Sequence, residues 1–316
     1  MPSELIAPLN AVPRIPLGSW VDTVVTWMQV HWAGFFNGVA DGLNNLVAWI
    51  QDGLLSLPIF LIVAVLAVLA LLARGVLTGV GSAVGLLLID GFDQWANAMD
   101  TLAVVVVASV IALLLAIPVG ILAARMRPVS VVTKPVMDFM QTLPSFVYLL
   151  PALFLLGLGS AAAVLATIVF AMPPGVRLTE LGIRQVDKEM VEAGQAFGAT
   201  PRAVLRGIQV PLAMPTIMAG VNQVIMLALS MTVIAGLVGS GGLGGAVVQG
   251  LQTLDVALGA EAGVAVVILA IYLDRVTAAV GQGSLRRTAA VLRGRFGRKA
   301  EDDPSTGETQ PVRRAA

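Results

Sequence analysis

The sequence predicts an all-α, polytopic helical membrane protein with about seven transmembrane helices. Composition, apolar run length and glycine content carry that prediction. Of the 316 residues, 57% are hydrophobic and only 12% charged, and the mean hydropathy is +0.90, far from the composition of a soluble domain. The apolar residues form runs near the length of about 20 that crosses a bilayer. The 33 glycines suit helices that approach closely where lipid is as apolar as protein. The chain has no cysteine and a single histidine, His31, which rules out a disulfide framework, a thiolate or histidine metal cluster and a cysteine nucleophile. No hydrolase or nucleotide-binding pattern occurs, so no catalytic residue, cofactor, metal or nucleic-acid partner is expected.

Residues 1–18 hold Pro2, Pro8, Pro13 and Pro16 among short apolar pairs, without the basic start and continuous apolar run of a signal peptide. They read as an irregular arm. From Ser19 to about Asp52 the pattern becomes helical, with Phe35, Val39, Leu43, Leu46 and Ile50 on one face and Asn37, Asp41, Asn44 and Asp52 on another. Trp20, Trp27, Trp32 and Trp49 also fall here, and tryptophan prefers the headgroup layer. Residues 1–54 are therefore expected to form an arm and an amphipathic helix, broken once, lying on the membrane surface. A small cap packed on the other helices is the alternative. Gly34, Gly38 and Gly42 fit either a close helix contact or a chance spacing.

Spans are expected near 56–73, 75–89, 98–123, 136–158, 160–176, 213–238 and 262–281, with Pro173 and Pro174 ending or kinking the fifth. With the amino terminus outside, 18 of the 19 basic residues fall on the inner side and only Arg14 outside. The outer side instead carries Glu4, Asp22, Asp41, Asp52, Asp90, Asp93, Asp100, Asp255 and Glu261. That asymmetry is the positive-inside pattern, and it puts the carboxyl terminus in the cytoplasm. The tail, residues 283–316, is basic at first and then polar. Its first part either lies on anionic lipid or serves only to fix topology.

Apart from Asp138 near the inner end of the fourth span and Asp274-Arg275 in the inner half of the seventh, no ionisable residue falls in the middle of a span. Such residues mark proton and ion relays, so energy has to arrive from outside the membrane. Asp138 fits either a pair with Lys134 one turn earlier or a role in transport.

One polar island fits that demand. From Arg177 to Pro211 the pattern predicts two short helices joined by a turn at Gly198, the second capped by Thr200 with Pro201 in its first turn. Glu192-Ala193-Gly194, three residues, Gly198, nine residues, then Ile208-Gln209-Val210-Pro211 resembles the cytoplasmic motif of the membrane subunits of ABC importers. That motif reads Glu-Ala-Ala, three residues, Gly, nine residues, Ile-x-Leu-Pro. Gly194 stands for the second alanine, which loosens a helix by up to about 1 kcal/mol, and Val210 for the leucine. The resemblance covers roughly residues 55–282. Asp138-Phe139-Met140-Gln141-Thr142-Leu143-Pro144, the run from Pro211 to Gln223, Leu227-Ala228-Leu229-Ser230-Met231 and Gly241-Gly242-Leu243-Gly244 are similar to the glycine betaine/proline-betaine branch.

The resemblance implies an ABC importer permease core at 55–282 in the bacterial cytoplasmic membrane, with a coupling loop at 177–211. Glu192, Ala193, Gly194, Gly198, Ile208 and Pro211 would there meet a separate ABC ATP-binding subunit. An extracytoplasmic substrate-binding protein and a second copy of the chain, as a homodimer, are the other implied partners. The implied substrate is glycine betaine, proline betaine or proline. Another importer branch, for choline, carnitine or a further small amine, is the alternative, and a nucleotide-independent secondary transporter a more distant one. Gln141, Thr142, Ser145, Tyr148, Asn222, Gln223, Ser230 and Thr232 are the polar side chains available to line a passage or to bond between helices. Tyr148 is the one aromatic suited to caging a quaternary ammonium there, so selection is expected to lie in the binding subunit.

Overall fold

The computed structural model describes residues 16–281. The amino-terminal arm before them and the basic tail lie outside the described residues. The helices are α1 (Leu17–His31), α2 (Ala33–Leu55), α3 (Ile59–Arg74), α4 (Val76–Gly91), α5 (Trp95–Arg125), α6 (Arg127–Thr142), α7 (Ser145–Leu156), α8 (Ser160–Arg184), α9 (Lys188–Ala196), α10 (Pro201–Val204), α11 (Val210–Ala235), α12 (Gly242–Thr253) and α13 (Val256–Gly281). A π-helical turn, Leu205–Gln209, leads into α11, and a 3₁₀ turn, Gly236–Val238, leaves it.

Four runs are long and apolar enough to cross a bilayer alone: Trp95–Arg125, Ser160–Arg184, Pro201–Val238 and Val256–Ala279. Two bent pairs bring the number to six, α2 with α3 at 104° and α6 with α7 at 98°. The remaining apolar segment, α4, has 16 residues and spans only about 24 Å.

Three expectations for these segments are corrected. The span placed at 136–158 is not one rod, because Leu143 before Pro144 is extended (φ −73°, ψ 134°), as sterics before proline require. The span placed at 160–176 does not end at Pro173 and Pro174. α8 runs through both to Arg184, clamped between α5 and α11. The glycine-rich stretch between 238 and 262, outside every expected span, folds into α12.

α5, α8 and α11 form the centre, and small residues set how closely they meet. A Cβ on Gly120 would lie 2.6 Å from Thr179, on Gly175 2.9 Å from Ala116, and on Gly220 3.0 Å from Leu178. Such backbone approach is the way membrane helices gain dispersion contact. α13 packs on α11 and itself carries α3 and α4, while α2 packs on α5 and α8 and α7 mainly on α8.

α1 and α2 break once, at Trp32. The buried face of α2 is Phe36, Ala40 and Val47, with Leu43 and Ile50 packed beside them. It is rotated by about one residue from the expected Phe35/Leu46 face, because this is the stripe that meets α5, α7 and α8. Phe35, Leu46 and Trp49 stay exposed. Gly34, Gly38 and Gly42 face open space, so they mediate no close contact among the described residues.

Asn44 on α2 reaches across to α8, whose own N-cap, Gly159, offers no side chain. Its Oδ1 accepts the Ala161 N–H at 2.9 Å. Asn44→Ala is expected to lower stability by about 1 kcal/mol, the usual size of a lost cap, and Asn44→Asp to retain most of it. Thermal unfolding in detergent checks this, and equal midpoints for Asn44→Ala and the parent would contradict it.

Candidate functional site

The polar island forms a compact projection at the joined ends of α8 and α11. Asp187 caps α9, its carboxylate accepting the Glu189 N–H at 2.9 Å. The helix ends in a Schellman turn: Ala199 N–H donates to the Gly194 carbonyl at 3.1 Å and Gly198 N–H to the Gln195 carbonyl at 2.9 Å. Gly198 holds the left-handed conformation this turn needs, at φ +78°. Thr200 then caps α10, accepting the Ala203 N–H at 3.3 Å, with Pro201 at its first position, so both local expectations for the turn hold. A π-turn follows, closed by Val210 N–H on the Leu205 carbonyl; Pro211, the next residue, has no N–H for the Gly207 carbonyl.

Gly194 has a packing role. A Cβ there would lie 2.5 Å from Ile208 Cδ1, so the isoleucine already fills the place of the missing methyl. Val204 and Leu205 are buried. Leu205 packs with Ile183, Ala213 and Ile217, fastening the projection to α8 and α11. α9 itself has no buried residue. Met190, Ala193 and Phe197, at helical spacing, form an uncovered apolar stripe with Glu189 and Glu192 also exposed on the helix, and Phe197 is 92% exposed.

Above the projection, charges gather between α6 and α8. Asp138 pairs with Arg177, not with Lys134, because α8 brings a guanidinium to the carboxylate. Lys134 lies instead 3.8 Å from Glu180. Sequence reading missed Glu180, which is 5% exposed; its position between Arg177 and Arg184, three residues after one and four before the other, was the available signal.

The candidate passage residues divide by burial. Asn222 is committed between helices, donating to Asp274 at 3.1 Å and accepting from Thr277. Thr232 is buried and donates to the Ala228 carbonyl at 2.8 Å. Tyr148 donates to the Met140 carbonyl across the α6–α7 bend and sits edge-on to Phe170, centroids 5.9 Å apart. Gln141, Thr142, Gln223 and Ser230 are exposed and Ser145 partly so. Ala219, Gln223 and Ser230 follow one stripe of α11, four and then seven residues apart.

At the other end of α5 and α11, Thr101 Oγ1 accepts the Leu243 N–H at 2.8 Å and donates to the Asn97 carbonyl at 2.8 Å. This pins the glycine-rich entry to α12, where Gly239, Gly241 and Gly242 all have positive φ. Asn97, Gln249 and Gln252 help line an open cavity of about 470 Å³ beside it.

Comparison with known proteins adds three findings. Residues 116–285 match the family described as binding-protein-dependent transport system inner membrane component. The glycine betaine/proline betaine transport system permease protein ProW of Escherichia coli is 45% identical over 273 residues, covering 86% of this chain and 77% of that one. The glycine betaine transport system permease protein OpuAB of Bacillus subtilis is 44% identical over 271 residues, covering 85% and 95%. Among solved structures, an inward-facing form of the MetNI methionine ABC transporter superposes with a TM-score of 0.54 at 22% identity, covering 62% of this chain and 95% of that one, a likeness of fold.

Proposed function

This chain belongs to the family of binding-protein-dependent transport system inner membrane components, and from that premise we propose that it is the permease subunit of an ATP-driven importer of glycine betaine and related compatible solutes. It works with a separate ATP-binding subunit and an extracytoplasmic substrate-binding protein. The observation that carries the reading is the projection at residues 188–211, whose apolar stripe of Met190, Ala193 and Phe197 is left uncovered on a unit anchored through Leu205 to α8 and α11. An ATPase seated on that stripe moves the two central helices, because the joint between them has no slack. Glu192, Ala193, Gly194, Gly198, Ile208 and Pro211 build this input.

The chain pairs with a second copy, and the passage runs between them. Gln223 and Ser230 support this: in a membrane-spanning helix an outward polar stripe faces either lipid, which is unfavourable, or another protein surface. Gln141, Thr142 and Ser145 at the α6–α7 bend join that lining, whereas Asn222 and Thr232 serve packing. With α4 as a seventh, short crossing, the amino terminus faces outward and the carboxyl terminus the cytoplasm, in line with the basic residues. Transport proceeds by alternating access, and ligand delivery outside stimulates ATP hydrolysis inside, since coupling between binding sites is reciprocal. Tyr148, with its hydroxyl and ring both engaged, leaves solute selection to the binding protein.

Reconstitution into vesicles with the ATP-binding and substrate-binding subunits tests this. ATP-dependent uptake of glycine betaine in preference to choline is expected. Uptake unaffected by removing ATP would refute it, and preference for choline would move the chain to another importer branch.

A further inference from the structure

We propose that Glu180 is a positioning residue for the transport cycle: it latches the α6–α7 pair onto the inner ends of α5 and α8, and its release lets that pair swing. The inference rests on the permease reading above. Side chains from two helices converge on this one carboxylate, and one of them ties in a third helix. Ser130 Oγ of α6 donates to it at 2.7 Å, Arg184 of α8 approaches at 3.0 Å and Lys134 of α6 at 3.8 Å. The same Arg184 donates to the Ala123 carbonyl of α5 at 2.9 Å.

Glu180 is buried while Arg184 and Lys134 reach it from exposed positions; an ion pair with a buried partner adds little stability over well-packed apolar side chains, and its best-attested use is to specify one arrangement among alternatives. The surroundings show which arrangement is at stake. α8 meets α5 and α11 through glycines with no spare room, at Gly120, Gly175 and Gly220, and those joints move as one body. α6 meets α8 differently: Met137 packs beside Val176 and Ala116, and the rest of the contact is polar, beside a cavity of about 340 Å³ lined by Lys134, Asp138, Arg177, Glu180, Leu181 and Arg184. Interfaces of the first kind resist sliding, so relative motion concentrates at the second. The 98° bend between α6 and α7 follows directly, and Asp187, which caps α9, lies seven residues beyond Glu180 on the chain. Force entering at α9 therefore reaches the latch before it reaches the membrane interior.

The test uses the complete reconstituted transporter and reads solute moved per ATP hydrolysed, together with the ratio of ligand-stimulated to basal hydrolysis. Glu180→Gln keeps the shape and loses the charge. It is expected to lower solute per ATP roughly fivefold or more, within the usual range of coupling between sites, while the ATP-binding subunit still co-purifies. A second variant, Ser130→Ala with Lys134→Gln, leaves the Glu180–Arg184 pair intact, removes only the α6 arm, and is expected to act in the same direction. It also decides the matter should Glu180→Gln fail to fold. If the parent transports and the second variant keeps the parent's ratios, the latch is wrong and the permease reading stands. If the parent itself moves no solute with ATP, the permease reading falls and the latch with it.

Discussion

Gly198→Val is expected to reduce ATP-driven uptake to less than about a tenth of the parent's while leaving the chain in the membrane. The residue sits at φ +78°, where an L side chain costs about 1–2 kcal/mol and a β-branched one is a genuine outlier. Two hydrogen bonds close the turn, from Ala199 to Gly194 and from Gly198 to Gln195, and relieving the strain breaks both. α9 would then no longer be held at a fixed angle to α10, and about 1.4 kcal/mol of lost coupling is a tenfold loss in rate. A Cβ meets nothing within 4 Å there, so the effect is conformational, not steric. Gly198→Asn, which tolerates the left-handed region, should retain several-fold more uptake than valine. Parent-like uptake and stimulated hydrolysis in Gly198→Val would remove the docking role of this loop.

The second large effect is expected at the opposite end of the bundle. In Gly244→Ala the new Cβ would lie 2.4 Å from the Val233 carbonyl oxygen and 2.9 Å from Val233 Cα, while Gly236 faces the Gly244 carbonyl carbon at 2.2 Å by the same construction. These neighbours are backbone, so no side chain can turn away. Overpacking of this kind typically costs about 1–3 kcal/mol, and here the end of α11 must separate from the start of α12. The thermal midpoint in detergent and the folded yield should both drop. Gly245→Ala is the control, since its Cβ meets nothing within 4 Å and alanine favours the helix. Matching midpoints for the two variants would contradict the close approach.

What could be read in advance was local. Gly198, Thr200 and Pro201 act on their own turn through conformational restrictions that travel with the residue, and the structure uses them accordingly. Pro173 and Pro174 obey the same local rule in isolation, yet α8, packed closely on α5 and α11 at Gly120, Gly175 and Gly220, stays helical through them. Pro144 was visible, but the apolar residues on both sides run on without a change of pattern, and nothing in periodicity registers a 98° bend. α12 was hidden because glycine reads as turn, whereas here it permits backbone contact. Lys134 and Asp138 looked like a pair because their spacing allowed one; Arg177 and Glu180, from another helix, took both. The passage candidates show the limit most clearly, because Asn222 and Gln223 are adjacent in sequence, and only the third dimension assigns one to Asp274 and leaves the other uncovered.

The contact between Gly194 and Ile208 bears on how subunits of this kind can be recombined. The two positions occupy one shared volume, so neither is an independent letter of the motif. Grafting a standard Glu-Ala-Ala helix into this chain would place a methyl 2.5 Å from Ile208 Cδ1 unless the isoleucine rearranged as well. Chimeras exchanged at the turn between α9 and α10 would split that pair, whereas exchange of residues 187–211 as a block keeps it whole. The interchangeable module is thus the entire projection, and its boundaries are set by side-chain packing instead of by the spelling of the motif.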